Sequence, residues 1–176
     1  NCLVGSEMCI RDRIDTYLMV YIIFSRCFEL VLSKKNTTKL LQKGAKEYYG
    51  FHYKFIVLFH ICFILFFLTK SFSNSIFNIQ YLYVFFIVQI FRYKIIYDLG
   101  EFWTTRILVI NKPLVKTWMF RYLRHPNYIV VFLEVILICL FFNDFYSLIV
   151  FSVINIILIA IRIFYEEKAN KFRLML

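Results

Sequence analysis

Glycine and proline, the residues that break a chain into turns, number only four and two among 176 positions. Cysteine is also sparse, and its five copies form no Cys-x-x-Cys pair and no Cys/His spacing of the kind a metal site uses. Cys27, Cys62 and Cys139 lie within apolar segments, where cysteine serves as a small hydrophobe. Acidic residues are outnumbered 11 to 21 by lysine and arginine, for a formal charge of +10. Such an excess points to nucleic acid where the basic groups share one surface. Here they cluster in the connections between long apolar runs, which excludes that class. Asn1 to Arg13 does not read as a signal peptide, since it has no basic start, no apolar centre and no small-residue cleavage site. That stretch reads as translated sequencing-adapter DNA, and residues 14–176 as one domain.

What the chain has in abundance is apolar surface. Hydrophobic residues make up 61%, with 22 Phe and 13 Tyr, more than a soluble domain of this size would bury. Several runs approach the roughly 20 residues needed to cross a bilayer. The pattern predicts an all-α integral membrane bundle of five spans: Thr16 to Leu32, Tyr53 to Leu68, Ile76 to Tyr97, Tyr128 to Phe142 and Phe145 to Tyr165. Asn143-Asp144 makes a tight turn that folds the last two into an antiparallel hairpin.

Basic residues concentrate in the connection between spans one and two (Lys34, Lys35, Lys39, Lys43, Lys46), around the one between three and four (Arg92, Lys94, Arg106, Lys112, Lys116, Arg121, Arg124), and at the C-terminal end. Lys70 alone falls on the other side. By the positive-inside rule the N-terminus is outside, and the C-terminus and the Arg124–Tyr128 turn are cytoplasmic. The long connection from Asp98 to Asn127 mixes aromatic and basic residues, including Trp103, Arg106 and Trp118. That suits a segment lying at the membrane interface over a pocket.

The chemistry-bearing residues gather at that cytoplasmic end. In Arg124-His125-Pro126-Asn127-Tyr128, Pro126 fixes its own φ and starts a helix, whose free N–H groups and partial positive charge suit a carboxylate. Tyr128 offers a ring face that attracts a cation such as a sulfonium. The bland alternative is a helix-start turn with interfacial side chains. Glu134 lies two turns into an apolar span, either as a helix-bridging carboxylate or as a ligand group. Asn155, Arg162 and Glu166 fall at i, i+7 and i+11, forming a polar stripe, with Glu167 about 100° away. The stripe is either a snorkelling arginine with its i+4 partner at a helix end or a set of cofactor ligands. Arg26 and Glu29 read as a local pair neutralising each other in the membrane, and Glu47 and His52 as part of a solvated loop.

In this order the residues resemble the isoprenylcysteine carboxyl methyltransferase family, particularly its short bacterial members. The resemblance runs through Arg26-x-x-Glu29-Leu30, Gly44-Ala45-x-Glu47, His52-Tyr53 and Leu99-Gly100-x-Phe102-Trp103-Thr104-x-Arg106-Ile107. It continues in Arg121-Tyr122-x-Arg124-His125-Pro126-Asn127-Tyr128, Glu134, Asn155 and Arg162-x-x-x-Glu166-Glu167. It implies an S-adenosylmethionine-dependent membrane methyltransferase. His125, Pro126, Tyr128, Glu134, Arg162, Glu166 and Glu167 would form the cofactor pocket, and a lipid-like or prenylated acceptor would enter sideways between helices. One position departs from the eukaryotic pattern: Val130 stands where those members have Gly, at a place that can shape the approach of the cofactor.

The expected reaction is in-line methyl transfer to an oxygen of a lipid-like acceptor, driven mainly by positioning and exclusion of water. A carboxylate acceptor needs no base; a phenol or enol does, with His125 or Glu134 as candidates. Arg124 or Arg106 can hold an anionic acceptor, and Trp103 lies in the same segment. Lipid-tailed polyketides such as alkylpyrones, methylated by some bacterial relatives, are a credible acceptor class. No metal is expected, and the implied location is a bacterial plasma membrane. Rival readings are a phospholipid N-methyltransferase, an NADPH-dependent protein like the sterol reductases, and a membrane scaffold whose polar stripe serves packing.

Overall fold

A computed structural model describes residues 14–73, 77–110, 123 and 125–173, with side chains described as far as 171. Five α-helices dominate it: α1 Ile14–Gln42, α2 Phe51–Ser71, α3 Ile79–Leu99, α4 Pro126–Phe141 and α5 Phe145–Arg173. Successive helices run in opposite directions. The α1–α2 and α3–α4 connections and the end of α5 therefore share one end of the bundle. Four helices are long and apolar enough to cross a membrane; α4 is shorter. Its 16 residues span about 24 Å, less than the roughly 30 Å of a bilayer core. Packed against α3 and α5, α4 has much of its surface covered by protein, so it need not match the lipid thickness.

Helix ends follow local chemistry. Gly44 (φ 87°) stops α1, with the Ala45 N–H donating to the Leu40 carbonyl at 2.9 Å and Gly44 N–H to Leu41 at 3.0 Å. Asn143 (φ 51°) stops α4 in the same way, through Asp144 N–H to Cys139 O and Asn143 N–H to Leu140 O, both 3.1 Å. These are paired bonds closed by a left-handed residue, and the second makes the expected hairpin turn. Asp144 then opens α5: its Oδ1 accepts from the Ser147 N–H at 2.9 Å and its Oδ2 from the Ser147 hydroxyl at 2.8 Å. Lys70, at the end of α2, also donates to Asp144 Oδ2.

Two helices run further than the apolar pattern predicts. α1 continues ten residues past Leu32, through Lys34, Lys35 and Lys39, which were expected in a loop. Its polar extension docks on the segment after α3. Asn36 Nδ2 donates to the carbonyls of Gly100 (3.0 Å) and Trp103 (2.9 Å), and Ser33 Oγ lies 2.7 Å from Thr105 Oγ1. α5 passes through Glu166-Glu167 to Arg173 instead of ending there. Ala169, fully buried, packs with Tyr165 on Ile107 and Val109. Val109 belongs to, and Ile107 directly precedes, the second strand of a two-strand clasp, β1 Lys46–Glu47 against β2 Leu108–Val109, which ties the two connections together. The clasp escaped the sequence reading because two-residue strands carry no usable alternation.

The apolar core is built from rings. Phe63 meets Phe151 edge-on at 5.0 Å, and Phe67 packs on Phe142 at 5.0 Å, joining α2 to α4 and α5. Inside lipid the solvent-exclusion term is weak, so close packing of this kind carries helix association.

Candidate functional site

At the start of α4, Pro126 occupies the first helical turn and His125 stands at the N-cap position, with φ −137° and ψ 63° and no side-chain cap bond. This places Tyr128 against α5. Its hydroxyl donates to Glu166 Oε2 and accepts from Arg162 Nε at 3.0 Å. His125 stacks on the Tyr128 ring (5.4 Å, 24°), with Nδ1 3.9 Å from Glu166 Oε2. Four of the expected site residues thus form one cluster. The Tyr128 ring already carries a cation, since the Arg162 guanidinium lies 5.4 Å from its centroid. The ring face assigned above to a sulfonium is therefore engaged by arginine.

Beside this cluster a cavity runs between the helices. Asn127, Tyr128, Asn155 and Arg162 line one part of it, and Arg26, Glu29, His60 and Arg92 another. Ile56, Val57, Ile64, Val131, Leu158 and Ile159 give it apolar walls. Three buried polar atoms here have no partner among the described residues: Asn127 Oδ1, Asn155 Nδ2 and His125 Nε2. Buried amides are normally satisfied, so Asn127 and Asn155, which line the cavity, mark places for ligand groups. Trp103, 3% exposed, also lines the cavity. Val130 packs in the core while its neighbour Val131 faces the cavity, so the departure from glycine adds bulk to the core.

Glu134 is placed differently from a free ligand or base. Its Oε1 accepts from Gln89 (2.7 Å) and its Oε2 from Arg26 (2.5 Å) and Arg92 (2.9 Å). Glu29 takes Arg92 through both oxygens (2.5 and 2.6 Å) and Arg26 at 2.8 Å. The local Arg26–Glu29 pair is thus half of a buried quartet joining α1, α3 and α4, and the helix-bridging reading describes Glu134. Arg92, counted above with the basic flank, is only 4% exposed. His52 is likewise buried and stacks on Tyr165 at 5.2 Å, correcting its assignment to a solvated loop. Arg106 pairs with Glu47 at 2.9 Å and lies 5.9 Å from the ring of Tyr53, which lines the cavity. Arg124 falls outside the described residues, as do Asn1 to Arg13. Glu167 occupies the next position on α5 after Glu166.

Sequence reasoning gave His60 no part. His60 is a lone polar residue in an apolar run, and nothing local signals the cavity around it.

Residues 79–171 match the isoprenylcysteine carboxyl methyltransferase (ICMT) family. Over 160 residues the chain is 35% identical to the Bacillus subtilis protein YpbQ, covering 86% of this chain and 94% of that one. A Haemophilus influenzae protein is 28% identical over 155 residues, 84% and 90% of the respective chains. Both relatives are described only as uncharacterised. No solved structure matches the chain significantly. With α3, α4 and α5, the cluster around Tyr128 and the C-terminal carboxylates all inside the matched region, the chain belongs to the isoprenylcysteine carboxyl methyltransferase family of integral membrane methyltransferases.

Proposed function

We propose that this protein transfers a methyl group from S-adenosylmethionine to an oxygen of a lipid-like acceptor at the cytoplasmic face of a bacterial plasma membrane. The observation that carries the reading is a set of unpartnered polar atoms near the Tyr128 cluster, Asn127 Oδ1 and His125 Nε2 at the start of α4 and Asn155 Nδ2 two turns along α5 from Arg162. S-adenosylmethionine bears an ammonium, a carboxylate, ribose hydroxyls and a purine, and so needs donors and acceptors close together. Asn155 and Arg162 supply donors; Asn127 and Glu166 supply acceptors. When bound, this group supplies an electrophilic methyl on a sulfonium.

The chain's own task is to position and to exclude water. The apolar walls suit an alkyl or prenyl tail. Leu30 and Ile61 line the cavity yet are 44% and 50% exposed, so the tail has a sideways route from the bilayer between α1 and α2. The end bearing Lys39, Lys43, Arg106, Lys168 and Lys171 faces the cytoplasm by the positive-inside rule.

The test is methyl transfer from labelled S-adenosylmethionine to long-chain acceptors in detergent, beside Glu166→Gln. Extractable labelled lipid, strongly reduced in the variant, is the expected outcome. No transfer to hydroxyl or carboxylate acceptors, with an amine-headgroup lipid methylated instead, would make the protein an N-methyltransferase.

A further inference from the structure

His60 reaches the cavity from α2, a helix that adds nothing to the Tyr128 cluster. Its Nδ1 lies 2.8 Å from the Ile56 carbonyl oxygen. A carbonyl only accepts, so Nδ1 carries the proton, and in the neutral ring the free lone pair belongs to Nε2. The bond to the helix backbone fixes both tautomer and orientation. His60 shares the cavity wall with Arg26, Glu29 and Arg92. Of the two arginines, Arg26 is the accessible one, at 19% against 4% for Arg92. A histidine with a set lone pair and an accessible guanidinium thus line one ligand-sized space, which also has apolar wall from Ile56, Val57, Ile61 and Ile64.

Resting on the methyltransferase reading above, we propose that His60 is the proton acceptor for a phenol- or enol-type hydroxyl on the methyl acceptor, and that Arg26 holds the oxygen as it becomes anionic. The O–H bond breaks and its proton passes to Nε2. An oxygen lone pair forms the new O–CH3 bond as the methyl carbon–sulfur bond breaks, and that electron pair returns to sulfur, leaving a neutral thioether. Charge balances within the site: the acceptor oxygen loses a proton and the imidazole gains it. The charged groups facing this place are Arg26 and Glu29 from α1, Arg92 from α3 and Glu134 from α4, with Arg162 of α5 further along the cavity. The first four carry no net formal charge. A carboxylic acid acceptor is already ionised at neutral pH and has no use for such a base. A hydroxyl with a weakly acidic proton does.

The test compares the wild-type protein with His60→Gln in four measurements. Calorimetric binding of S-adenosylmethionine and the thermal unfolding midpoint should match in the two proteins. Methyl transfer to a long-chain alkylphenol, which is neutral at pH 7, should fall about 100-fold or more in the variant, the usual worth of a positioned base. A long-chain alkyl nitrophenol, added without cofactor at a pH below its free titration range, should show nitrophenolate absorbance on wild type and lose it on the variant. Equal alkylphenol rates in both proteins would overturn the assignment alone. So would a bound nitrophenol that stays neutral on wild type, an outcome read without any variant. Failure of wild type to bind S-adenosylmethionine would instead overturn the methyltransferase reading and this step with it.

Discussion

Asn155 lies on the polar stripe of α5, is 2% exposed and leaves its amide Nδ2 without a partner among the described residues. Its replacement by leucine keeps the branched outline, at a larger volume, and removes the amide. If the amide serves a ligand, Asn155→Leu should weaken S-adenosylmethionine binding by about 1 kcal/mol, roughly five- to tenfold, with no fall in the unfolding midpoint. A lower midpoint with unchanged binding would make Asn155 a packing residue. Glu134 carries the opposite expectation. Glu134→Gln leaves Arg26 and Arg92 under-compensated in a buried place, and breaking such a network costs about 3–5 kcal/mol. A clear loss of thermal stability in detergent is expected. Survival at wild-type stability would mean that the quartet is not held in the folded protein as described.

The same residues show what a sequence discloses. Arg26 and Glu29 were legible as a pair because i, i+3 spacing on a helix is local. Arg92 and Gln89 were not, because their partners lie on α1 and α4 and no periodicity reports which faces of separate helices meet. His125, Tyr128, Arg162 and Glu166 were legible because a helix start after proline and a polar stripe on an apolar helix each depart from their surroundings. His60 departs as well, but a single histidine does not reveal the cavity beside it.

Among the elements, the hairpin of α4 and α5 fixes the site, since Tyr128 on one and Arg162 with Glu166 on the other must meet. Its turn is secured by Asp144, which starts α5 and receives Lys70 from α2. Burial alone would raise the Asp144 carboxyl, but hydrogen bonds from Lys70 and Ser147 outweigh it and hold the group below its ordinary 3.8. A carboxyl lowered by folding contributes stability above its unfolded value and loses it as pH falls through the folded one. Asp144→Ala should therefore cost about 0.5–2 kcal/mol near neutrality, as loss of a helix cap does. The gap from wild type should narrow as pH drops below 3.8. Unfolding midpoints for both proteins across that range check it, and a gap that widens on acidification would contradict the pairing.

The five spans were legible because their apolar runs are long, and the hairpin because Asn-Asp can take a left-handed turn. The lengths of α1 and α5 were not. Their extensions are polar and are held by tertiary contacts, Asn36 on the Gly100 and Trp103 carbonyls and Ala169 under the clasp.

At the scale of the whole molecule, charged residues inside a membrane are retained where they build something. Here the Arg/Glu quartet joins three helices and presents Arg26, Glu29 and Arg92 to a cavity whose other part is the Tyr128 cluster. One space thus has a polar mouth set by α4 and α5, a charged recess set by α1 and α3, and apolar walls suited to a lipid tail. The central claim is that this space is an S-adenosylmethionine pocket, and calorimetric titration of the detergent-purified protein tests it most directly, with NADPH titrated in parallel. Saturable binding of S-adenosylmethionine and none of NADPH is the predicted result. Binding of NADPH in its place, or of neither by a folded sample, would contradict it.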